Sequence, residues 1–327
     1  MLARPMLNRN KRKLLCRWFV AISLLCAGLT ATSIYSRWRQ LQLDYMLYWA
    51  LHRQDLHSAS NFVYDGADPN ARYYYGRDAD HLDFWTVARS VWLATLGPKK
   101  APDPRRTYTP LIWAAGMPGS VRVVTALLSC GADPNARTVY GMTPLHEAVL
   151  HGQVGLIPVL VHSGANVEAQ MLDSYGSTPL GLACRRAPES VVVLINSGAD
   201  VNRGHALMQA SEQGRLDCIR LLVQHGADAH RLFDLPFFEE MAGRIDGQTM
   251  EMFLRHGAGS SKSVPIDWML FDCVAHGAPI DTLIALLDHG ARVRRVDTEY
   301  GSALDRARKL HRYDVIRLLN KTIATEH

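Results

Sequence analysis

The stretch Ser129–Gly152, SCGADPNARTVYGMTPLHEAVLHG, decides the reading of this chain because its parts recur elsewhere. "GADPNAR" stands at Gly66–Arg72 and again at Gly131–Arg137. "TPL" begins at Thr109, Thr143 and Thr178, each time with an alanine three residues after the leucine. Gly-Ala pairs open at Gly66, Gly131, Gly164, Gly198, Gly226, Gly257 and Gly290, at intervals of 65, 33, 34, 28, 31 and 33 residues. One copy can be read physically. Thr143 is placed to cap a helix, and Pro144 takes the first helical position, where a missing N–H costs nothing. Leu145 and Ala148 share one face. Gly152 can end this helix in a left-handed conformation. A second apolar run, Val154 to Val161, supplies an antiparallel partner that Gly164 ends. Such a pair cannot bury its apolar face alone, so pairs must stack.

Counting back from the closing glycines places Ala50, Ala148, Ala210 and Val274 in one small-residue slot, with Ala307 in the same slot near the C-terminus. The last unit, "GSALDRARKLHRYDVIRLLNK", carries more charge and has no closing Gly-Ala, which suits a cap whose outer face meets water. With a period near 33 and a TPLH phrase, the chain resembles the ankyrin-repeat family. The resemblance implies an all-α ankyrin-repeat solenoid of about eight helix pairs over residues 44–322. The units around Met241 and Val274 lack TPL and depart most from the pattern.

The first interval is nearly double the rest. From Asn135 to Thr143 is 8 residues, whereas from Asn70 to Thr109 is 39, so about 31 residues are inserted within 73–107. "ADHLDFWTVARSVWLATL" predicts a helix, with Leu82, Trp85, Ala88, Trp92 and Leu96 near helical spacing and Asp78 and Asp80 ahead of it. "GPKKAPDPRRTY" stops that helix and supplies Lys99, Lys100, Arg105 and Arg106, while Tyr73, Tyr74 and Tyr75 precede it. Long insertions in compact arrays are often functional. A helix that only covers the array, with a solvated basic loop, is the competing reading.

The N-terminus is a different object. Residues 1–13 are basic, and Trp18 to Tyr35 carries no charge. Residues 14–36 are expected to form a single transmembrane signal anchor, with Leu14–Tyr35 in the membrane and Trp18, Tyr35 and Trp38 suited to its interfaces. Arg4, Arg9, Lys11, Arg12, Lys13 and Arg17 precede or open the run, against Arg37 and Arg39 just after it. That bias places the N-terminus in the cytoplasm and the repeats in the periplasm or an equivalent exterior space. A cleaved signal peptide using "ATS" at Ala31–Ser33 and a mitochondrial targeting segment are the other readings of the same run.

Eight of the 36 basic residues precede residue 40, and none of the 31 acidic residues does. The remainder is therefore slightly acidic, contrary to what a nucleic-acid-binding domain carries. Cys130, Cys184, Cys218 and Cys273 are scattered without a CxxC and are expected to be small buried hydrophobes. His225, His256 and His289 each precede a closing glycine, but units that stack roughly 10 Å apart cannot converge on one ion as zinc ligands do. His146 is expected to bond locally and to neighbouring backbone. No nucleophile motif or phosphate loop stands out, so no catalytic residue, cofactor, metal or nucleic acid is expected.

Tyr140, Tyr175 and Tyr300 each precede the glycine that opens a repeat. Ankyrin-like proteins place hairpin fingers there, and aromatics are enriched in binding hot spots. Finger-to-finger packing is the alternative role. Arg137, Met171 and Asp173 lie in the same fingers as more exposed candidates. The functional expectation is a membrane-tethered scaffold that binds another protein, in a protective, assembly or immunity-like role. The alternatives are an envelope hydrolase with its site in the insertion and a cytoplasmic-facing adaptor.

Overall fold

A computed structural model of the chain describes residues 32, 35–37, 39–40, 42–71, 73–74, 106–173, 175–230, 242–259, 265–293 and 301–325. Two compact units are formed, Met1–Pro110 with Arg122–Ala132, and Leu111–Val121 with Asp133–His327.

In the first unit, a helix over residues 42–52 is followed by Leu56–Tyr64, whose start is capped by Asp55 accepting from the Ser58 N–H at 3.1 Å. Leu47, Leu51, Ala59 and Val63 are buried, as are Val123, Val124 and Leu127 of the helix Val121–Ser129. Tyr45, Tyr48, Trp49 and His52 form an edge-to-face aromatic group, with the Arg53 guanidinium 5.3 Å from the Trp49 ring centre. A short antiparallel ladder pairs Tyr73–Tyr74 with Arg106–Tyr108, in the register Tyr73 to Tyr108 and Tyr74 to Arg106. The all-helical expectation is thus amended by this one ladder among the described residues. Its two strands bracket residues 75–105, the inserted segment, in sequence.

The second unit is built from helix pairs. Leading helices Pro144–Leu150, Pro179–Arg186 and Ala206–Glu212 pack successively on one another. Returning helices Leu156–His162 and Val191–Asn196 pack likewise, and Leu216–Gln224 packs against Gly247–Arg255. The layer continues through Ile280–Asp288 to Tyr313–Thr325, with Ile266–Ala275 packed on Ala303–Lys309. The leading helix expected around Met241 lies mostly outside the described residues. The anchor expected at 14–36 does so too, apart from residues 32, 35 and 36. Among the described residues no helix is long and apolar enough to cross a membrane.

The small-residue slot is where the stack closes. Ala114, Ala148, Ala183, Ala210 and Ala307 are all 0% exposed. One register assignment changes. Val274 was reached by counting back from Gly290, but the helix ends at His276 and Gly277 as its counterpart ends at His151 and Gly152. Counting from that end puts Cys273 in the slot, and the odd residue falls between Gly277 and Gly290. Gly152 and Gly164 are left-handed as expected, at φ +65° and +91°.

The recurrent GADPN phrase has a concrete job. Its aspartate accepts the N–H two residues on, closing an Asx turn: Asp68 from Asn70 at 2.9 Å, Asp133 from Asn135 at 2.8 Å and Asp200 from Asn202 at 2.9 Å. The asparagine then reaches into the next copy. Asn70 Nδ2 donates to Gly131 O and Asn135 Nδ2 to Gly164 O, each at 2.9 Å, and Asn202 Nδ2 to Gly226 O at 3.2 Å. Asn135 and Asn202 also accept from the N–H groups of Asn166 and Asp228. Asn135→Ala removes both inter-repeat bonds at an exposed position. It is expected to cost about 1–2 kcal/mol in urea unfolding, at about one per bond.

Three of the four repeat cysteines are buried and all are free thiols, as expected of small hydrophobes, but Cys130 is exposed. Cys184 and Cys218, on helices of successive pairs, share a thiol–thiol hydrogen bond that raises the Cys184 pKa and lowers that of Cys218.

Candidate functional site

Two fingers dominate the described surface. The first turns at residues 138–142, where the Thr138 N–H donates to Met142 O at 2.9 Å and the Gly141 N–H to Thr138 O at 3.0 Å. The second turns at residues 171–177. There the Met171 N–H donates to Ser177 O, and the Asp173 carboxylate accepts from both the N–H and the hydroxyl of Ser177, at 2.8 and 2.6 Å. The fingers are joined, because the Leu172 N–H donates to Tyr140 O at 2.8 Å and the Arg137 guanidinium donates to Gln170 O.

His146 anchors this pair to the helices. It is completely buried. Its Nδ1 accepts from the Thr143 N–H at 3.2 Å and lies 2.9 Å from Thr143 Oγ1, while Nε2 lies 3.3 Å from Ser177 O. This network assigns the proton to Nε2, which donates to the base of the next finger. Burial pushes the His146 pKa down to about 4, the Ser177 carbonyl opposing and Arg137 adding to the depression. A histidine held neutral in the fold adds stability that is complete above its ordinary value of about 6.5 and is lost as pH falls toward 4. The loss attributable to His146 amounts to about 3 kcal/mol. Melting curves of the parent and His146→Gln should therefore converge as the pH is lowered across that window. A constant gap would refute the assignment.

Three further histidines cap helix ends. The Nδ1 atoms of His162, His256 and His289 lie 2.7, 2.8 and 3.0 Å from the carbonyls of Pro158, Met252 and Ala285. Among the described residues no group of three metal-ligating side chains is assembled.

The expected site residues divide. Tyr140 is 68% exposed. Arg137 is exposed, but its guanidinium is committed to Gln170. Met171 is half-buried rather than exposed. Tyr175 is also half-buried, and its hydroxyl bonds Glu212, whose carboxylate raises the tyrosine pKa. Tyr175 thus ties its finger to the leading helix of the next unit, instead of standing free. Tyr73, Tyr74 and Arg106 lie in the short ladder, whereas Tyr75, Lys99, Lys100, Arg105, Tyr300 and the expected helix at Leu82–Leu96 lie outside the described residues.

Sequence reasoning missed the most exposed apolar groups. Leu172 is 74% exposed and Val139 45%, and both adjoin Tyr140 at the finger tips. Leu150, on the leading helix below, is 39% exposed. The available signal was an apolar residue at a turn, where polar residues are usual.

Joined fingers carried by stacked helix pairs, with His146 tying one helix cap to the next finger, can be compared with known proteins. The family model for ankyrin repeats in three copies matches residues 91–171 and again 166–232. Residues 91–232 are thus similar to ankyrin repeats. The ankyrin array is 38% identical over 109 residues to neurogenic locus notch homolog protein 2 of Homo sapiens, a match covering 31% of this chain and 4% of that protein. NF-kappa-B inhibitor delta of Mus musculus is 34% identical over 120 residues, covering 36% of this chain and 34% of the relative. An ankyrin repeat-containing protein of Schizosaccharomyces pombe is 40% identical over 74 residues, covering 23% of this chain and 35% of the relative. The chain therefore spans about a third or less of these curated relatives. Ankyrin repeats imply a protein–protein interaction role.

Proposed function

We propose that this chain is a membrane-tethered interaction scaffold whose ankyrin fingers hold a protein partner on the periplasmic or exterior side of a cell membrane. The observation that carries the reading is the apolar surface at Val139, Tyr140 and Leu172, joined across two fingers by the Leu172–Tyr140 hydrogen bond. Single exposed apolar residues are ordinary, but a contiguous group held on hydrogen-bonded hairpins points to recognition. The tether rests on the uncharged run from Trp18 to Tyr35 and on the basic residues concentrated ahead of it. Protection, assembly or neutralisation of the partner are the roles such a tethered scaffold serves.

Two measurements test this. Tyr140→Ser combined with Leu172→Ser is expected to reduce partner recovery from native membranes by about tenfold or more without moving the melting curve, as for loss of buried interface anchors. Unchanged recovery would remove the fingers from the interface. A periplasm-active reporter fused after His327 is expected to be active, and activity of only a cytoplasm-active reporter would invert the topology.

A further inference from the structure

The buried alanines set a common register for three successive leading helices, since Ala148, Ala183 and Ala210 are each 0% exposed. Positions two and three residues beyond each alanine therefore share one face of the layer. They read Leu150 and His151, then Arg185 and Arg186, then Glu212 and Gln213. All six are exposed or half-buried. The chemistry changes along this row from apolar to doubly basic.

Most of the charges around the arginines are already engaged. His151 lies 3.5 Å from the Glu147 carboxylate, Asp173 holds Ser177, and Glu212 takes the Tyr175 hydroxyl. Arg185 and Arg186 make no side-chain hydrogen bond or close ion pair among the described residues, although Arg185 acts electrostatically on Asp173 and Tyr175. The exposed Arg186 guanidinium is held by no charge-assisted hydrogen bond and is open to an incoming carboxylate.

The finger row also stops here. Eight residues separate Asn135 from Thr143 and ten separate Glu168 from Thr178, but only three separate Asn202 from His205. The shortened turn is tight, with Gly204 at φ +62° and His205 at φ +55°. Among the described residues, this tight turn takes the place of a finger before the helix Ala206–Glu212.

Resting on the interaction reading, we propose that this face selects an acidic segment of the protein partner, one with a large apolar side chain on the finger tips Tyr140 and Leu172, a second apolar contact at Leu150, and neighbouring carboxylates on Arg185 and Arg186. The apolar contact supplies the anchor. The unpaired arginines supply charge selection and speed the encounter.

The test presents the full chain, purified in mild detergent and immobilised, to a phage-displayed library of random peptides. Enriched sequences are expected to carry paired Asp or Glu within a few residues of Leu, Phe, Tyr or Trp. A synthetic copy of one such peptide should bind Arg185→Ser/Arg186→Ser about tenfold or more weakly, and the remaining binding should lose most of its salt dependence. Leu172→Ser should weaken the same peptide, whereas Ile284→Ser, on a returning helix, should not. Circular dichroism confirms that the variants are folded. Enrichment of peptides without acidic residues, or unchanged affinity in the double arginine variant, overturns the acidic selection while leaving the interaction reading in place. No enrichment over beads without the chain overturns both.

Discussion

Ala148→Arg is expected to cost about 5 kcal/mol and to remove the cooperative unfolding transition of the repeats around it. Ala148 is completely buried, on a leading helix that packs directly against Pro179–Arg186. An arginine there must overfill the contact or leave a charge without water or partner. Stability in a repeat array is approximately a sum over units and their nearest-neighbour interfaces, so damage at one interface reaches the next pair. Ala148→Gly leaves the space open and should cost only about 1 kcal/mol, the ordinary penalty for glycine within a helix. Urea unfolding followed by circular dichroism separates the two. An arginine variant that melts like the parent would mean that this slot is not where the helices meet.

Gly181→Val is the second large effect, expected at about 3 kcal/mol from overpacking. Gly181 lies in the helix Pro179–Arg186, so its backbone needs no glycine. The space does. A Cβ built there would lie 2.6 Å from Gly204 O and 2.9 Å from Gln209 Nε2. Gln209 is itself buried and bridges Ser177 Oγ and Gly204 O at 3.0 and 3.1 Å, so it cannot yield without losing both bonds. Gly226 offers the opposite case, with φ +90° and nothing near a built Cβ. Gly226→Ala should cost about 1–2 kcal/mol from backbone strain alone. If Gly226→Ala proved the more damaging of the two, the close approach of the Gly204 turn to Gly181 would be wrong.

The repeats were legible because each phrase is dictated by local physics. Thr143, Pro144 and Gly152 specify where a helix begins and ends, and Asp133 with Asn135 specify a turn and its tie to the next copy. The register at Val274 failed because one added residue between Gly277 and Gly290 breaks the count from the glycine without disturbing the helix end. The tyrosines illustrate a different limit. Tyr140 and Tyr175 occupy equivalent places in sequence, yet only Tyr140 stands exposed, because Glu212 on the leading helix of the next unit captures the Tyr175 hydroxyl. No local pattern contains that partner. The shortened finger before His205 was visible as a 28-residue interval. Its consequence, a tight left-handed turn at Gly204 and His205, needed the structure to be seen.

In the proposed scaffold the joined finger tips, and not the returning-helix surface, meet the partner. A photo-crosslinking amino acid placed at Leu172, and separately at Ile284, tests it in native membranes. Both positions are exposed, at 74% and 40%, and both tolerate a bulky side chain. The account predicts a discrete crosslinked adduct from position 172 and none from position 284, with the adduct lost on competition by an excess of unlabelled chain. An adduct from position 284 alone would contradict it and move the interface to the opposite layer of helices.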